Sequence, residues 1–174
     1  MEPSQWFAPW RLVQIALFMG LGLGAIFIEA APLGLTANAY PSPDLLFCVV
    51  AFWATRRPES TALLAVFALG LVRDLITDAP VGGGVLTLVL AAEFLKALSQ
   101  GLGRRNFVTQ FLLIALVSGI VVLVQWAIVI ALLAPPPYLF DLIRQWLATL
   151  AAYLAVVLVF RGLFRMRWPK PAVV

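Results

Sequence analysis

Three ionisable residues lie close together in one short segment of an otherwise apolar chain. Arg73, Asp74 and Asp78 fall within six positions of "LGLVRDLITDAPVGGG", residues 69–84, whereas the 174 residues include only 12 Lys or Arg and 8 Asp or Glu. A guanidinium beside carboxylates can lock helices together, bind an ion or a small ligand, or contact a partner protein. The sequence leaves these three interpretations open.

Helix geometry and depth limit the partners of these charges. Adjacent helical residues point about 100° apart, so Arg73 and Asp74 are expected to have separate partners. In a bilayer a buried charge costs about 3 kcal/mol on insertion scales, so such residues pair or face protein or water. The other ionisable residues expected at the same depth are Asp44, Asp141, Arg144 and Glu29. We therefore predict a polar network at this depth.

A second charged pair, Glu93 and Lys96, has the three-residue spacing that allows pairing on one helix face. One interpretation is a self-neutralised pair whose lysine extends to the membrane interface. The alternative is that Glu93 carries protons or cations. The chain has no histidine and no series of carboxylates that would continue such a path, which favours the first interpretation.

Composition excludes several other kinds of chemistry. Without histidine and with the single cysteine Cys48, the chain has no histidine-based triad, histidine metal site, intrachain disulfide or cysteine zinc cluster. The segment "PVGGGV" lacks the lysine and Ser or Thr of a phosphate-binding loop. We predict no metal, no cofactor and no nucleic-acid binding.

The elements that must position these residues are membrane helices. Mean hydropathy is +1.02, and 11% of residues are charged, against about 25% in soluble domains. Each crossing needs roughly 20 apolar residues. We predict an all-α membrane protein with six transmembrane helices in a single domain, residues 1–174, built on the apolar runs 12–31, 44–54, 60–76, 81–98, 107–134 and 139–160.

Basic residues predict how these helices are oriented. Ten of the twelve fall on one predicted side: Arg11, Arg56, Arg57, Lys96, Arg104, Arg105, Arg161, Arg165, Arg167 and Lys170. Short loops rich in Lys and Arg stay in the cytoplasm. Both termini are therefore predicted to be cytoplasmic, with the Arg73 segment on the outer side and the basic edge suited to anionic lipid.

The second run is too short to cross a bilayer as a regular helix. Its eleven residues span about 16 Å as a helix, about half of the hydrocarbon thickness. We predict a short or broken second helix whose preceding loop, residues 32–43, folds over the outer mouth of the bundle. Ser42 is the predicted N-cap of this helix, with Pro43 at its first position, and Pro58 and Glu59 are predicted to begin the third helix.

Small residues on two helices predict close helix packing. Gly20, Gly22 and Gly24 supply a GxxxG spacing, and Ala91 with Ala92 supplies a second small surface. Such residues allow close helix contact, either inside the bundle or with another chain. The glycines of "GGG" at 82–84 are expected to allow a tight turn and a close approach of the fourth helix.

In the middle third of the chain, residues 43–94, a Pro-Asp-Leu opens a short crossing that ends in Arg-Pro, and a Gly-Leu-x-x-Asp precedes a proline and glycine turn. This pattern resembles that of the rod shape-determining protein MreD family. The matching positions here are Pro43, Asp44, Leu45, Arg57, Pro58, Gly70, Leu71, Asp74, Pro80, Gly82 and Gly84.

This resemblance implies a component of the bacterial inner membrane that works in cell-wall elongation without catalytic activity. The implied partners are the single-pass protein MreC, the MreB filament, the RodA polymerase and its penicillin-binding transpeptidase. The implied fold is similar to that of the substrate-binding components of energy-coupling-factor vitamin transporters. A transporter component of that kind is the alternative function, and it requires a ligand cavity of about 300 Å³ or more. A membrane enzyme using Asp44, Asp74 or Glu93 comes third.

Overall fold

The computed structural model describes residues 9–31, 42–77, 82–101, 107–131 and 138–164. These residues form six α-helices and no strand, which confirms the predicted all-α class. The helices are α1 (Pro9–Ala30), α2 (Leu45–Arg56), α3 (Leu63–Ile76), α4 (Gly83–Gly101), α5 (Phe107–Ala131) and α6 (Leu139–Phe164). The predicted loop 32–43 lies outside the described residues except for its last two positions.

Three of the described helices contain segments long and apolar enough to cross a membrane: Arg11–Ala30, Phe107–Ala131 and Leu139–Phe160. Along α5, large apolar side chains are exposed at Leu112, Leu116, Ile120 and Leu123, spaced so that they share one helix face. Lipid acyl chains can cover such a face. The fold is therefore that of a membrane protein.

The short helix α2 forms the core of the bundle. Nine consecutive residues, Leu46 to Ala54, are buried, because α2 packs against α1, α4, α5 and α6. A helix covered on every side needs no polar face, and this explains its uninterrupted apolar sequence. Its 12 residues span about 18 Å. A helix of this length is tolerated at membrane depth because protein, rather than lipid, surrounds it.

Two predicted helix starts are wrong. Helix α2 is capped by Asp44 and not by Ser42, because the Asp44 carboxylate accepts the N–H of Phe47 at 2.8 Å. Helix α3 begins at Leu63, while Pro58 and Glu59 belong to a separate 3-10 turn, Pro58–Ser60. The Arg57 carbonyl closes that turn by accepting hydrogen bonds from the N–H and hydroxyl of Ser60.

Helices α3 and α4 approach each other closely at Gly70. A Cβ atom on Gly70 would lie 3.1 Å from Cα of Val85, which belongs to the backbone of α4. A neighbouring backbone cannot rotate away as a side chain can. The sequence "GLVRD" thus uses glycine where two helix backbones nearly touch.

We expect Gly70→Leu to separate α3 from α4 and to destabilise the protein by about 1–3 kcal/mol, the usual cost of overpacking. Gly20→Leu is the matched control, because a Cβ at Gly20 has no atom within 4 Å. Thermal unfolding in detergent can be followed with a thiol-reactive dye, since Cys48 is the only cysteine and is buried. Equal midpoints for the two variants would contradict the close approach.

Candidate functional site

Three of the charged residues singled out in the sequence meet at the N-terminus of α2. Arg73 Nη1 lies 3.0 Å from Asp44 Oδ2, and Arg73 Nε lies 3.5 Å from Glu29 Oε2. The Glu29 and Asp44 side chains are 8% and 10% exposed, and that of Arg73 is 17% exposed. We call Glu29, Asp44 and Arg73 the charge cluster. It joins the ends of α1 and α3 to the start of α2.

The same two carboxylates also accept hydrogen bonds from the backbone of α2. The N–H of Leu46 donates to Glu29 Oε1 at 2.9 Å, and the N–H of Phe47 donates to Asp44 Oδ1. The N–H of Leu45 donates to the Pro43 carbonyl. The unpaired N–H groups of a helix start carry partial positive charge. Each acid therefore faces two positive groups, the guanidinium and the helix terminus.

Helix α6 is joined to the cluster by Thr149. Its hydroxyl accepts the N–H of Asp44 at 3.1 Å and donates to the Gln145 carbonyl at 2.9 Å. The Thr149 carbonyl also accepts a hydrogen bond from the Cys48 thiol at 3.4 Å. Thr149 is ten residues from the first residue of α6, about 15 Å along the helix. Four helices thus meet at the N-terminus of α2.

Asp74 has a separate partner, the N-terminus of α4. Its Oδ2 accepts the N–H of Gly82 at 2.9 Å and that of Val85 at 3.2 Å. The residue is 2% exposed. An acid at the end of α3 thereby caps the next helix, a role usually taken by a side chain at the start of the capped helix itself.

The "GGG" segment accommodates this cap. Gly82 has φ of 101°, a conformation that side chains rarely tolerate. A Cβ on Gly84 would collide with the Asp74 carboxylate, whereas a Cβ on Gly83 would make an ordinary contact with Ile128 at 3.6 Å. Glycine is therefore needed at position 82 for its backbone angle and at position 84 for space, whereas position 83 can accept a side chain.

The structure does not bring every predicted residue to this network. Asp141 and Arg144 are exposed on α6, and neither forms an ion pair among the described residues; Arg144 lies over the Phe140 ring at 5.7 Å. Among the described residues, neither contributes to the charge cluster, because similar depth does not place residues on the same helix face. Asp78 and Pro80 lie outside the described residues.

Glu93 and Lys96 pair at 2.7 Å near the far end of α4. The Glu93 side chain is 49% exposed, so the pair lies on the surface of the bundle. The described part of the chain contains no group of three His, Cys, Asp or Glu residues able to hold a metal ion. The arrangement of charges is therefore one of local pairs and caps.

Two of the basic residues predicted on the opposite side, Arg11 and Arg57, contact the 3-10 turn. Arg11 Nη2 donates to the Glu59 carbonyl at 2.6 Å, which ties the start of α1 to the α2–α3 connection. Arg56 lies over the Phe52 ring at 4.9 Å. The charge cluster and these arginines occupy opposite ends of α2.

The predicted small-residue surfaces divide into buried and exposed positions. Ala91 and Ala92 are buried in the core, and a Cβ on Gly22 would meet the Leu69 side chain. Gly20 and Gly24 are exposed, with no atom within 4 Å of a Cβ at either position. Gly22, Ala91 and Ala92 thus pack internally, and the Gly20–Gly24 pair remains available on the outer face of α1.

Two contributors were not predicted as site residues. Thr149 offers little signal beyond a polar residue in an apolar helix. Trp146 donates from its indole to the Ala115 carbonyl and the Ser118 hydroxyl, each at 3.1 Å, and so connects α6 to α5.

A family model described as rod shape-determining protein MreD matches residues 10–167 of the chain. No curated protein and no solved structure matches. The family match extends well beyond the middle third that carries the sequence resemblance. Several of the resembling positions have structural roles, namely Asp44, Arg57, Gly70, Asp74, Gly82 and Gly84.

We expect Arg73→Ala to destabilise the protein by about 3–5 kcal/mol, because it leaves two buried carboxylates without their cation. Adding Glu29→Gln should restore part of that loss by removing one of the charges. Arg144→Ala, at an exposed arginine, should change stability by less than about 0.5 kcal/mol. Thermal midpoints in detergent measure all three, and an Arg73→Ala variant as stable as Arg144→Ala would show that the cluster does not hold the helices together.

We expect Gly84→Ala to displace the Asp74 carboxylate and to cost about 1–3 kcal/mol through the N–H groups left unpaired. Gly83→Ala is the matched control, one position away, and should be nearly neutral. Hydrogen exchange at the start of α4 should accelerate only in Gly84→Ala. Exchange that is unchanged in both variants would contradict the cap.

Proposed function

The chain belongs to the rod shape-determining protein MreD family, and on that premise we propose that it is a non-enzymatic membrane scaffold. In this proposal it binds the transmembrane helix of an MreC-like protein and helps to place the RodA-type polymerase, its penicillin-binding transpeptidase and the MreB filament. Membership of the family implies a role in rod shape determination. Binding of these partners is the finer claim, and the arguments below support it.

The observation that carries this proposal is the use of the buried charges. Glu29, Asp44, Arg73 and Asp74 each contact another helix or its N-terminus. In an enzyme, reactive groups are held with perturbed surroundings in a cleft that admits substrate. Here the charged groups hold helices together, which is what a rigid binding platform requires.

We further propose that all six helices lie in the bacterial inner membrane, with both termini in the cytoplasm. The end of the bundle that holds Arg11, Arg56 and Arg57 would then be the cytoplasmic end, as the distribution of basic residues requires. Arginines at this edge suit anionic lipid headgroups or an acidic filament surface. Helix α2 would lie at membrane depth inside the protein, and α3, which exposes large apolar side chains such as Leu64 and Phe67, would face lipid on one side.

Helix α1 supplies the surface proposed for the MreC-like helix. Gly20 and Gly24 are one helical turn apart and exposed, so a second helix can approach the α1 backbone there. Close packing against small residues is a main source of affinity between membrane helices. Leu17 and Phe27, both exposed, extend the apolar surface on either side of the glycines.

The transporter alternative requires a larger cavity than the one found between α5 and α6. That cavity has a volume of about 160 Å³, roughly half of the lower limit for ligand pockets. The pocket predicted between the outer network and residues 32–43 falls largely outside the described residues.

We expect Gly20→Leu combined with Gly24→Leu to reduce co-purification of a co-expressed MreC protein from membranes. The thermal midpoint should not fall, because leucines at these positions meet no neighbouring atom. Ala151→Leu is the matched control, since Ala151 is an exposed small residue on α6. Unchanged capture would remove the α1 surface from the proposal, and failure of the unaltered chain to capture MreC would contradict the scaffold itself.

A further inference from the structure

A groove between α5 and α6, two helices with segments long and apolar enough to cross a membrane, contains polar side chains. The cavity of about 160 Å³ is lined by Val122, Gln125, Trp126, Val129, Leu142 and Gln145. Its volume is several times the ~30 Å³ that one water molecule occupies in the liquid. Three of its six lining residues can form hydrogen bonds.

These polar groups lack good partners among the described residues. The Trp126 indole N–H is buried without an acceptor. Gln125 Nε2 reaches Thr87 Oγ1 only at 3.5 Å. The Gln145 side-chain amide has no hydrogen bond in the described part of the chain. By contrast, Trp146, on the same pair of helices, has two acceptors for its indole N–H.

The position of the groove makes these unpaired groups costly. Gln125 and Trp126 lie six and five residues before the end of α5, about 8–9 Å from it. In the orientation proposed above, this is the outer half of the membrane. Unpaired polar groups in hydrocarbon cost several kcal/mol each. A partner that forms hydrogen bonds with them therefore binds with a more favourable free energy.

We propose that this groove binds the transmembrane helix of a second membrane partner, which inserts an amide or hydroxyl side chain between α5 and α6. Each glutamine amide offers both donors and an acceptor. A lipid ester has acceptors only and would leave the glutamine carbonyl oxygens unpaired. An amide or hydroxyl side chain both donates and accepts, and its helix supplies apolar surface for Val122, Val129 and Leu142.

This inference rests on the proposed scaffold function and adds a second binding surface to it. Helix α1 packs against α2 and α3, whereas the groove is formed by α5 and α6. The Gly20–Gly24 face and the groove are therefore on different helices and can be occupied together. The groove would hold a helix of the synthase pair while α1 holds the MreC-like helix.

The first test is site-specific photocrosslinking in membranes that contain the full chain with co-expressed MreC, RodA-type polymerase and penicillin-binding transpeptidase. A photoreactive residue replaces Val129 in the groove or, as control, Leu123 on the exposed face of the same helix. We expect crosslinks to the polymerase or the transpeptidase from position 129 and not from position 123. Crosslinks to lipid alone from position 129, or equal crosslinks from both positions, would overturn the proposal.

The second test removes the polar groups by Gln125→Leu with Gln145→Leu. Capture of the synthase pair should fall about five- to thirtyfold, the range for one or two interhelical hydrogen bonds in a membrane. Capture of MreC and the thermal midpoint should not fall. Leu147→Ala, at an exposed residue of α6, is the control and should change neither.

The outcomes separate this inference from the scaffold proposal. Retained MreC capture with unchanged synthase capture in the double variant would overturn the groove alone. A lower thermal midpoint would also overturn it, because it would show that the amides stabilise the bundle itself. Loss of MreC capture by the unaltered chain would overturn both proposals.

Discussion

The N-terminus of α2 lies inside the bundle, and side chains from other helices take the place that water has at an exposed helix start. Its first N–H groups donate to the Pro43 carbonyl, the Glu29 carboxylate and the Asp44 carboxylate. Arg73 then balances the two acids at 3.0 and 3.5 Å. The central helix could not begin at this depth without those groups, and α1, α4, α5 and α6 pack around it.

The start of α4 follows the same physical rule. Its N–H groups at Gly82 and Val85 donate to Asp74, which belongs to α3. In both places a carboxylate from one helix satisfies the partly positive terminus of another, so the connection is at once a cap and a helix-to-helix contact. This explains why acids occur in an apolar chain without forming a reactive centre. The close approach of Gly70 to Val85 also joins α3 to α4, through backbone contact instead of charge.

The helices could be predicted from the sequence far better than their contacts. Apolar runs bounded by proline, glycine and basic residues predicted six helices, and α5 and α6 begin at the predicted residues, Phe107 and Leu139. Depth along a helix also follows from such runs, and it predicts that Glu29, Asp44 and Arg73 lie at the same level. Rotation about the helix axis does not follow from depth. Asp141 and Arg144 share the predicted depth but are exposed on α6 and form no ion pair with the cluster, and Thr149 contacts Asp44 across 105 positions of chain.

Two kinds of surface remain after the interior charges are paired, and they offer different chemistry to a membrane partner. The exposed Gly20–Gly24 pair allows close backbone approach, which favours a partner helix with small side chains and a complementary surface. The α5–α6 groove contains unpaired donors and acceptors, which favour binding of a partner with a matching polar side chain. A partner that fits one surface gains little from the other. We infer that this difference lets one small bundle hold two distinct helices at defined positions, as long as its own charged groups keep the bundle rigid between them.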